Sequence, residues 1–141
     1  MTFQLDSRLA ADTFLVGDLP LCRILLMNDS RFPWLILVPR REDLSEVHDL
    51  APSERAILIE EAALAGERLK IYLGAKKINI AALGNMVPQL HMHVVARFAS
   101  DAAWPDPVWG VGEAARYEPD LAARLVADLR RMLDCALFKE S

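Results

Sequence analysis

The most informative part of the chain is residues 83–97, which read Leu83-Gly84-Asn85-Met86-Val87-Pro88-Gln89-Leu90-His91-Met92-His93-Val94-Val95-Ala96-Arg97. Side chains on a β-strand alternate between the two faces of the sheet. A strand over residues 89–97 therefore places a largely polar set on one face, namely Gln89, His91, His93 and Val95. The opposite face is wholly apolar and consists of Leu90, Met92, Val94 and Ala96. Two imidazoles roughly 6–7 Å apart on one strand face indicate a chemical role.

Upstream of this strand, three further apolar runs predict strands, at residues 21–27, 34–38 and 77–83. The first two are separated by the turn cluster Asn28-Asp29-Ser30, and the second ends at Pro39. Because the connection is short and proline suits the end of a strand, these two runs predict an antiparallel hairpin.

Helical periodicity replaces strand alternation between residues 53 and 73. Apolar side chains there fall three or four positions apart, at Leu58, Ala62, Ala65, Leu69 and Tyr72. Ser53 is the predicted N-cap and Gly74 the predicted stop, so we expect one long amphipathic helix. Pro119 opens a second helical pattern that continues to Met132, and residues 3–12 predict a short helix or an arm.

Strands clustered around two helices with short connections predict an α+β fold. We expect a mostly antiparallel sheet, one long central helix and a C-terminal helix. The chain is expected to form a single domain over residues 1–141, with the motif-bearing core at about residues 15–97. Residues 98–141 would supply a C-terminal loop, rich in tryptophan and proline, and the last helix.

Composition and charge exclude several classes of function. The 141 residues are 53% hydrophobic and 26% charged, the balance of a soluble domain with a core. The net charge is −4 and no stripe of Lys and Arg is present, which argues against long nucleic acid as a partner. A small phosphate-bearing ligand needs only local donors and stays open. No apolar run approaches the ~20 residues that span a bilayer, so we expect no membrane association.

The cysteines and the N-terminus predict a cytoplasmic location. Cys22 and Cys135 are far apart in the sequence, and neither has a neighbouring cysteine or histidine at metal-ligand spacing. Small secreted domains usually carry a denser cysteine framework. The first residues contain no basic segment followed by a long apolar run. We therefore expect two reduced thiols in a cytoplasmic protein.

The run of residues 89–95 resembles the signature of the histidine-triad (HIT) family, in which three histidines alternate with apolar residues. The residues at 28–30 and 34–39 likewise resemble the family's nucleotide-binding hairpin. This resemblance covers roughly residues 15–97. It implies a HIT-like fold, a homodimer and an enzyme that hydrolyses or transfers nucleotides.

The resemblance also implies roles for the two histidines. His91 matches the middle histidine, which attacks the α-phosphate of a phosphoramidate, a dinucleoside polyphosphate or a related conjugate and forms a nucleotidyl-histidine intermediate. A neutral imidazole is well suited to this step near pH 7. A backbone carbonyl on the same strand would accept a hydrogen bond from its second ring nitrogen. His93 matches the third histidine and would hold a phosphate oxygen, in a protonated form if needed.

Further substrate contacts are implied by the same resemblance. Asn85 would donate its amide to phosphate oxygens, and Asn28 or Asp29 would meet the ribose hydroxyls. Apolar residues of the hairpin would enclose the base, with Trp34 as a candidate contact. No cofactor is required, although Mg²⁺ could accompany a polyphosphate substrate.

Two positions depart from the family pattern. Gln89 stands in place of the first histidine, and an amide can donate a hydrogen bond but cannot carry a positive charge at neutral pH. The loss of one charge-assisted hydrogen bond would cost very roughly 1–3 kcal/mol, or about one to two decades in rate. Trp34 lies at or near a position where many members carry Gly-His.

Two rival hypotheses remain open. The first is a nucleotide-binding module of the same fold that has lost catalysis, a reading motivated by Gln89. The second is a metal-dependent hydrolase that uses His91, His93 and His48, because imidazole is a common zinc ligand. The sequence spacing does not point to His48 as a third ligand, so we expect no metal site.

Overall fold

A computed structural model describes residues 2–133. Its elements follow in the order α1 (Ser7–Asp12), β1 (Thr13–Asp18), β2 (Cys22–Met27), β3 (Trp34–Pro39), α2 (Pro52–Leu73), β4 (Lys77–Ala81), β5 (Met92–Arg97) and α3 (Pro119–Leu133). Within that range, the five strands form one sheet in the order β1-β2-β3-β5-β4, and every neighbouring pair is antiparallel. The predicted α+β class, with a long central helix and a C-terminal helix, is confirmed.

Helix α2 covers one face of the sheet. It begins at Pro52, one residue before the predicted cap Ser53, because proline is favoured in the first turn of a helix. It ends at Leu73 and is capped by Gly74, whose φ of 68° lies in the left-handed region that glycine adopts freely. The predicted inward positions Leu58, Ala62, Ala65 and Leu69 are buried. Tyr72 was wrongly included in that set, since it is exposed near the end of the helix.

The alternation predicted for β5 is confirmed. Met92, Val94 and Ala96 belong to the core cluster beneath α2 and α3. Val95 belongs to a second cluster on the opposite face. The strand begins at Met92 rather than at residue 89. The first residue of β5 that pairs with β3 is Met92, and the first that pairs with β4 is His93.

The second face of the sheet is covered instead of facing solvent. A second apolar cluster lies there and contains Leu9, Leu25, Phe32, Trp34, Ile36, Val38, Val95, Ala103 and Val108. The loop at residues 98–118 supplies part of this cover and is held by the buried Arg97. The Arg97 guanidinium forms an ion pair with Asp101 and also donates to the side chain of Asn79 and the backbone oxygen of Asp106.

Strand β1 was not predicted from the sequence. Its register with β2 shifts between Leu15 and Gly17, which marks a β-bulge. A bulge adds a residue to one strand and interrupts the alternation of apolar and polar positions. The alternation of apolar and polar residues that predicts a strand is therefore interrupted within β1.

No helix among residues 2–133 is long and apolar enough to cross a membrane. Cys22 is a free thiol, and burial, followed by the charge of the nearby Glu61, raises its pKa. Cys135 lies outside the described residues.

Candidate functional site

His91 is held by the backbone two residues before it. Its Nδ1 atom lies 2.7 Å from the carbonyl oxygen of Gln89. A carbonyl oxygen can only accept, so Nδ1 carries the hydrogen and Nε2 holds the lone pair. The side chain is only 6% exposed, but it lines a small cavity of about 40 Å³ together with Gly84 and Leu83. The Nε2 atom has no hydrogen-bond partner among residues 2–133.

His93 lies directly beside it, with the two ring centroids 4.9 Å apart. The indole Nε1–H of Trp34 donates to Nδ1 of His93 at 3.0 Å. Because an indole N–H can only donate, Nδ1 of His93 holds a lone pair and its hydrogen is on Nε2. Burial, followed by the charge of His91, lowers the pKa of His93 to about 4. The two histidines therefore have opposite tautomers, one with a free lone pair and one with a free N–H.

The side chain of Gln89 points to the N-terminal segment. Its amide nitrogen donates to the backbone oxygen of Gln4 at 2.8 Å, and its amide oxygen accepts from the backbone N–H of Asp6 at 2.8 Å. Asp6 in turn caps α1 by accepting from the N–H of Arg8. An amide has two N–H hydrogens, so one remains after the bond to Gln4.

Asn28 and Asp29 lie at the start of the β2–β3 connection, directly after β2, and line a cavity of about 250 Å³. Trp34 and Trp109 line the same cavity. The Asn28 side-chain oxygen accepts from the backbone N–H of Tyr117 at 2.8 Å. The Asp29 carboxylate is buried and forms two hydrogen bonds with the side chain of Arg31, at 3.0 and 2.8 Å.

These contacts set the charge of the cavity. Burial by itself raises the pKa of Asp29, but hydrogen bonds from Arg31 and from the backbone of Ala115 outweigh it and hold the pKa below its usual value. Burial, and then the negative charge of Asp29, raise the pKa of Tyr117 to about 12. The cavity therefore carries an ionised carboxylate that is already neutralised by its own arginine.

Asn85 is not brought into this cluster. Its side chain is exposed in the loop between β4 and β5, and it lines neither of the two cavities described above. Its neighbour Gly84, with a φ of 82°, lines the cavity at His91 instead.

Trp109 is a site residue for which no definite role was predicted. Its ring packs edge-on against both Trp34 and His93, with centroid distances of 6.0 and 5.4 Å. Its Nε1 atom is buried and has no hydrogen-bond partner within the described range, residues 2–133. The only signal was a tryptophan beside a glycine in a proline-rich loop, which predicts a lid or an interface as readily as a site.

A model of the HIT domain matches residues 8–100 of the chain, about two thirds of its length. The chain belongs to the HIT family. A comparison with curated proteins found no match.

Three solved structures are similar to this HIT domain over nearly its whole length. A histidine triad protein from Bradyrhizobium japonicum is 44% identical, with 94% of this chain and 99% of that chain covered and a TM-score of 0.90. A histidine triad protein from Sinorhizobium meliloti is 48% identical, with coverages of 92% and 96% and a TM-score of 0.89. One from Marinobacter aquaeolei is 43% identical, with coverages of 95% and 98% and a TM-score of 0.92.

His48 lies apart from the paired histidines of the HIT domain. Its side chain is 79% exposed, and its Nε2 atom lies 4.0 Å from a carboxylate oxygen of Asp49. Residues 2–133 contain no group of three histidine, cysteine or carboxylate side chains placed to hold a metal ion. The structure thus offers no third ligand in this range for a metal at His91 and His93.

Proposed function

We propose that this chain is a nucleotidyl hydrolase or transferase in which His91 attacks the phosphate of a nucleotide conjugate. The observation that carries the proposal is the 2.7 Å contact between Nδ1 of His91 and the carbonyl oxygen of Gln89. That contact leaves the Nε2 lone pair available, which is what a nucleophilic imidazole requires. Membership of the HIT family supports the same role.

The reaction has two steps. In the first, Nε2 of His91 forms a bond to the α-phosphorus, and the bond from phosphorus to the leaving group breaks with its electron pair going to the leaving group. In the second, the oxygen of water or of another acceptor bonds to phosphorus, the P–N bond breaks, and the electron pair returns to Nε2. The acceptor loses its proton to solvent, so the histidine is regenerated.

The contacts suggest where the substrate would lie. The nucleoside would occupy the cavity of about 250 Å³, with Asn28 or Asp29 at the ribose and Trp34 near the base. The cavity adjoins the histidine pair, because Trp34 and Trp109 both line it and both contact His93. The free Nε2–H of His93 would donate to a phosphate oxygen. A contact from Asn85 would require its loop to move toward the phosphate.

Gln89 is proposed to replace the first histidine of the family motif. Its amide is bonded to the backbone at residues 4 and 6, and its second N–H hydrogen is the group left to reach a phosphate. A site built this way stabilises phosphate charge with neutral donors. We therefore expect a slower enzyme than one with three histidines, by about one to two decades in rate.

The assembly and location are proposed on the family resemblance. We expect a homodimer, and strand β4 lies at the edge of the sheet, where its outer side is not paired within the sheet and Ile80 is about half exposed. The loop at residues 98–118 is proposed to contribute to the same contact. We expect the protein to act in the cytoplasm, without a required cofactor and with Mg²⁺ only if a polyphosphate substrate brings it.

A non-catalytic nucleotide-binding module is the second candidate, favoured by the engagement of the Gln89 amide with backbone atoms. Turnover of adenosine phosphoramidate by the wild type, His91→Ala and His48→Ala separates the two. The enzyme proposal expects loss of turnover only in His91→Ala, since His48 is an exposed imidazole outside the site. Equal nucleotide binding by all three proteins without turnover would support the binding module.

The metal-dependent alternative is tested in the same assay. Treatment with a strong chelator should leave turnover of the phosphoramidate unchanged, because the proposed nucleophile is an imidazole and not a metal-bound water. Loss of activity with the chelator, restored by added zinc, would replace the histidine mechanism with a metal-assisted one.

A further inference from the structure

His93 has two tryptophan neighbours that contact it in different ways. Trp34, on β3, donates its indole N–H to Nδ1 of His93 at 3.0 Å. Trp109, in the loop after β5, packs edge-on against the same ring at 5.4 Å and makes no hydrogen bond with it. Both rings exclude water from His93, but only Trp34 can influence which nitrogen carries the hydrogen.

The donor character of the indole decides the state of His93. A protonated imidazole carries hydrogens on both nitrogens, so it would place an N–H against the N–H of Trp34. The hydrogen bond to Trp34 exists only when Nδ1 is unprotonated. We propose that Trp34 is a positioning residue that holds His93 in its neutral tautomer, with a fixed Nε2–H donor facing the substrate phosphate.

Among the residues that the structure describes, one other titratable group acts electrostatically on His93. On its own strand, His91 lies 4.9 Å away. On the neighbouring strands, the residues paired with His93 are Ile36 and Ala81, neither of which is charged. Burial, followed by the charge of His91, disfavours a protonated His93, in the same direction as the Trp34 hydrogen bond.

The consequence for catalysis rests on the proposed function. A neutral imidazole holds its last N–H hydrogen firmly, so His93 can donate a hydrogen bond to phosphate but cannot supply a proton to the leaving group. The leaving group would depart with its electron pair and take its proton only from solvent, and the nitrogen of a phosphoramidate would take up that proton before the P–N bond breaks. Conjugates with acidic leaving groups, such as a phosphate, a polyphosphate or a carboxylate, should therefore react faster than those with alkoxide leaving groups.

Nitrogen NMR of protein labelled with ¹⁵N-histidine tests the tautomer directly. In the wild type, Nδ1 of His93 should give the resonance of an unprotonated nitrogen and Nε2 that of a protonated one, from pH 8 down to about pH 5. In Trp34→Phe, the tautomers should become mixed and the protonation midpoint of His93 should rise by about one pH unit. Trp109→Phe, the matched control, should keep the wild-type tautomer.

Two results would overturn the proposal. One is a wild-type spectrum in which Nδ1 of His93 is protonated at neutral pH, and this result does not depend on any variant folding. The other is a folded Trp34→Phe variant whose His93 spectrum and titration match those of the wild type. Both of these NMR measurements are independent of turnover. If Trp34 holds the His93 tautomer but no nucleotidyl adduct ever forms, the proposed function is refuted and the inference about Trp34 stands.

Discussion

Nδ1 of His91 lies 2.7 Å from the carbonyl oxygen of Gln89, and the indole nitrogen of Trp34 lies 3.0 Å from Nδ1 of His93. The first partner accepts and the second donates, so adjacent imidazoles on one strand face have opposite tautomers. One ring presents a lone pair and the other an N–H, within a ring separation of 4.9 Å. This is the arrangement needed to attack phosphorus while holding one of its oxygens.

The buried neutral state of His93 should make stability depend on pH. The pKa of His93 is about 4 in the folded chain, against a usual value of 6.5. Between these values the unfolded chain binds more protons, so the free energy of unfolding should fall as the pH is lowered through the window. The full effect is on the order of 3 kcal/mol.

Urea unfolding at pH 7 and pH 4.5 measures this effect. His93→Gln cannot titrate, so its loss of stability between the two pH values should be smaller than that of the wild type by about 2–3 kcal/mol. His48→Gln removes an exposed imidazole and should behave like the wild type. Identical losses in the wild type and His93→Gln would show that His93 is not buried as a neutral ring.

The Gln89 side chain should anchor the N-terminal segment. Gln89→Ala removes the bonds to Gln4 and Asp6, and each neutral hydrogen bond contributes about 1 kcal/mol. We therefore expect faster hydrogen exchange at the backbone N–H of Asp6. Asn85→Ala removes an exposed amide from the same loop and should leave that exchange unchanged. Slow exchange at Asp6 in Gln89→Ala would show that the amide does not hold the segment.

Glu61 should be a major contributor to stability. Its buried carboxylate accepts from the backbone N–H groups of Leu21 and Cys22, both at 2.8 Å, at the start of β2. Glu61→Ala leaves two buried donors without a partner, at a cost of about 2–6 kcal/mol. Glu60→Ala, at an exposed position of the same helix, should change stability by no more than about 0.5 kcal/mol. Thermal or urea unfolding of the two variants compares them, and equal stability would contradict the assignment.

Arg97 should hold the loop that covers the second face of the sheet. Arg97→Met removes the charge partner of the buried Asp101, and loss of one member of a buried pair costs about 3–5 kcal/mol. The same change should loosen residues 98–118 and shift the fluorescence emission of the packed tryptophans to longer wavelength, because water would reach their rings. Arg131→Met, which breaks an exposed pair with Asp128 on α3, should cost no more than about 1 kcal/mol. A stable Arg97→Met variant with unchanged fluorescence would be the contrary result.

Local periodicity was enough to predict the elements that position the site. The three-to-four spacing of apolar residues identified α2, and the alternation after Gln89 assigned Val94 and Val95 to opposite faces. Glycine at position 74 marked the helix end correctly because it adopts a positive φ. These features depend on neighbours within a few residues, which a single sequence records.

The missed features depend on distant contacts. Trp34 and His93 are 59 residues apart, and no local pattern indicates a hydrogen bond between them. Gln89 reaches 85 positions back to Gln4, so its anchoring role is equally invisible in the motif. The face predicted to be polar is covered because the Arg97–Asp101 pair folds the following loop over it.

The central claim, a nucleotidyl intermediate on His91, is tested most directly by mass spectrometry of the denatured protein. The protein is first incubated briefly with an adenosine conjugate that carries ¹⁸O on its α-phosphate. The account predicts a labelled nucleotidyl group on the peptide that contains His91, attached to that residue and absent from His91→Ala. Release of labelled nucleotide by the wild type with no adduct at any time point, or an adduct on His93 or another residue, would contradict it.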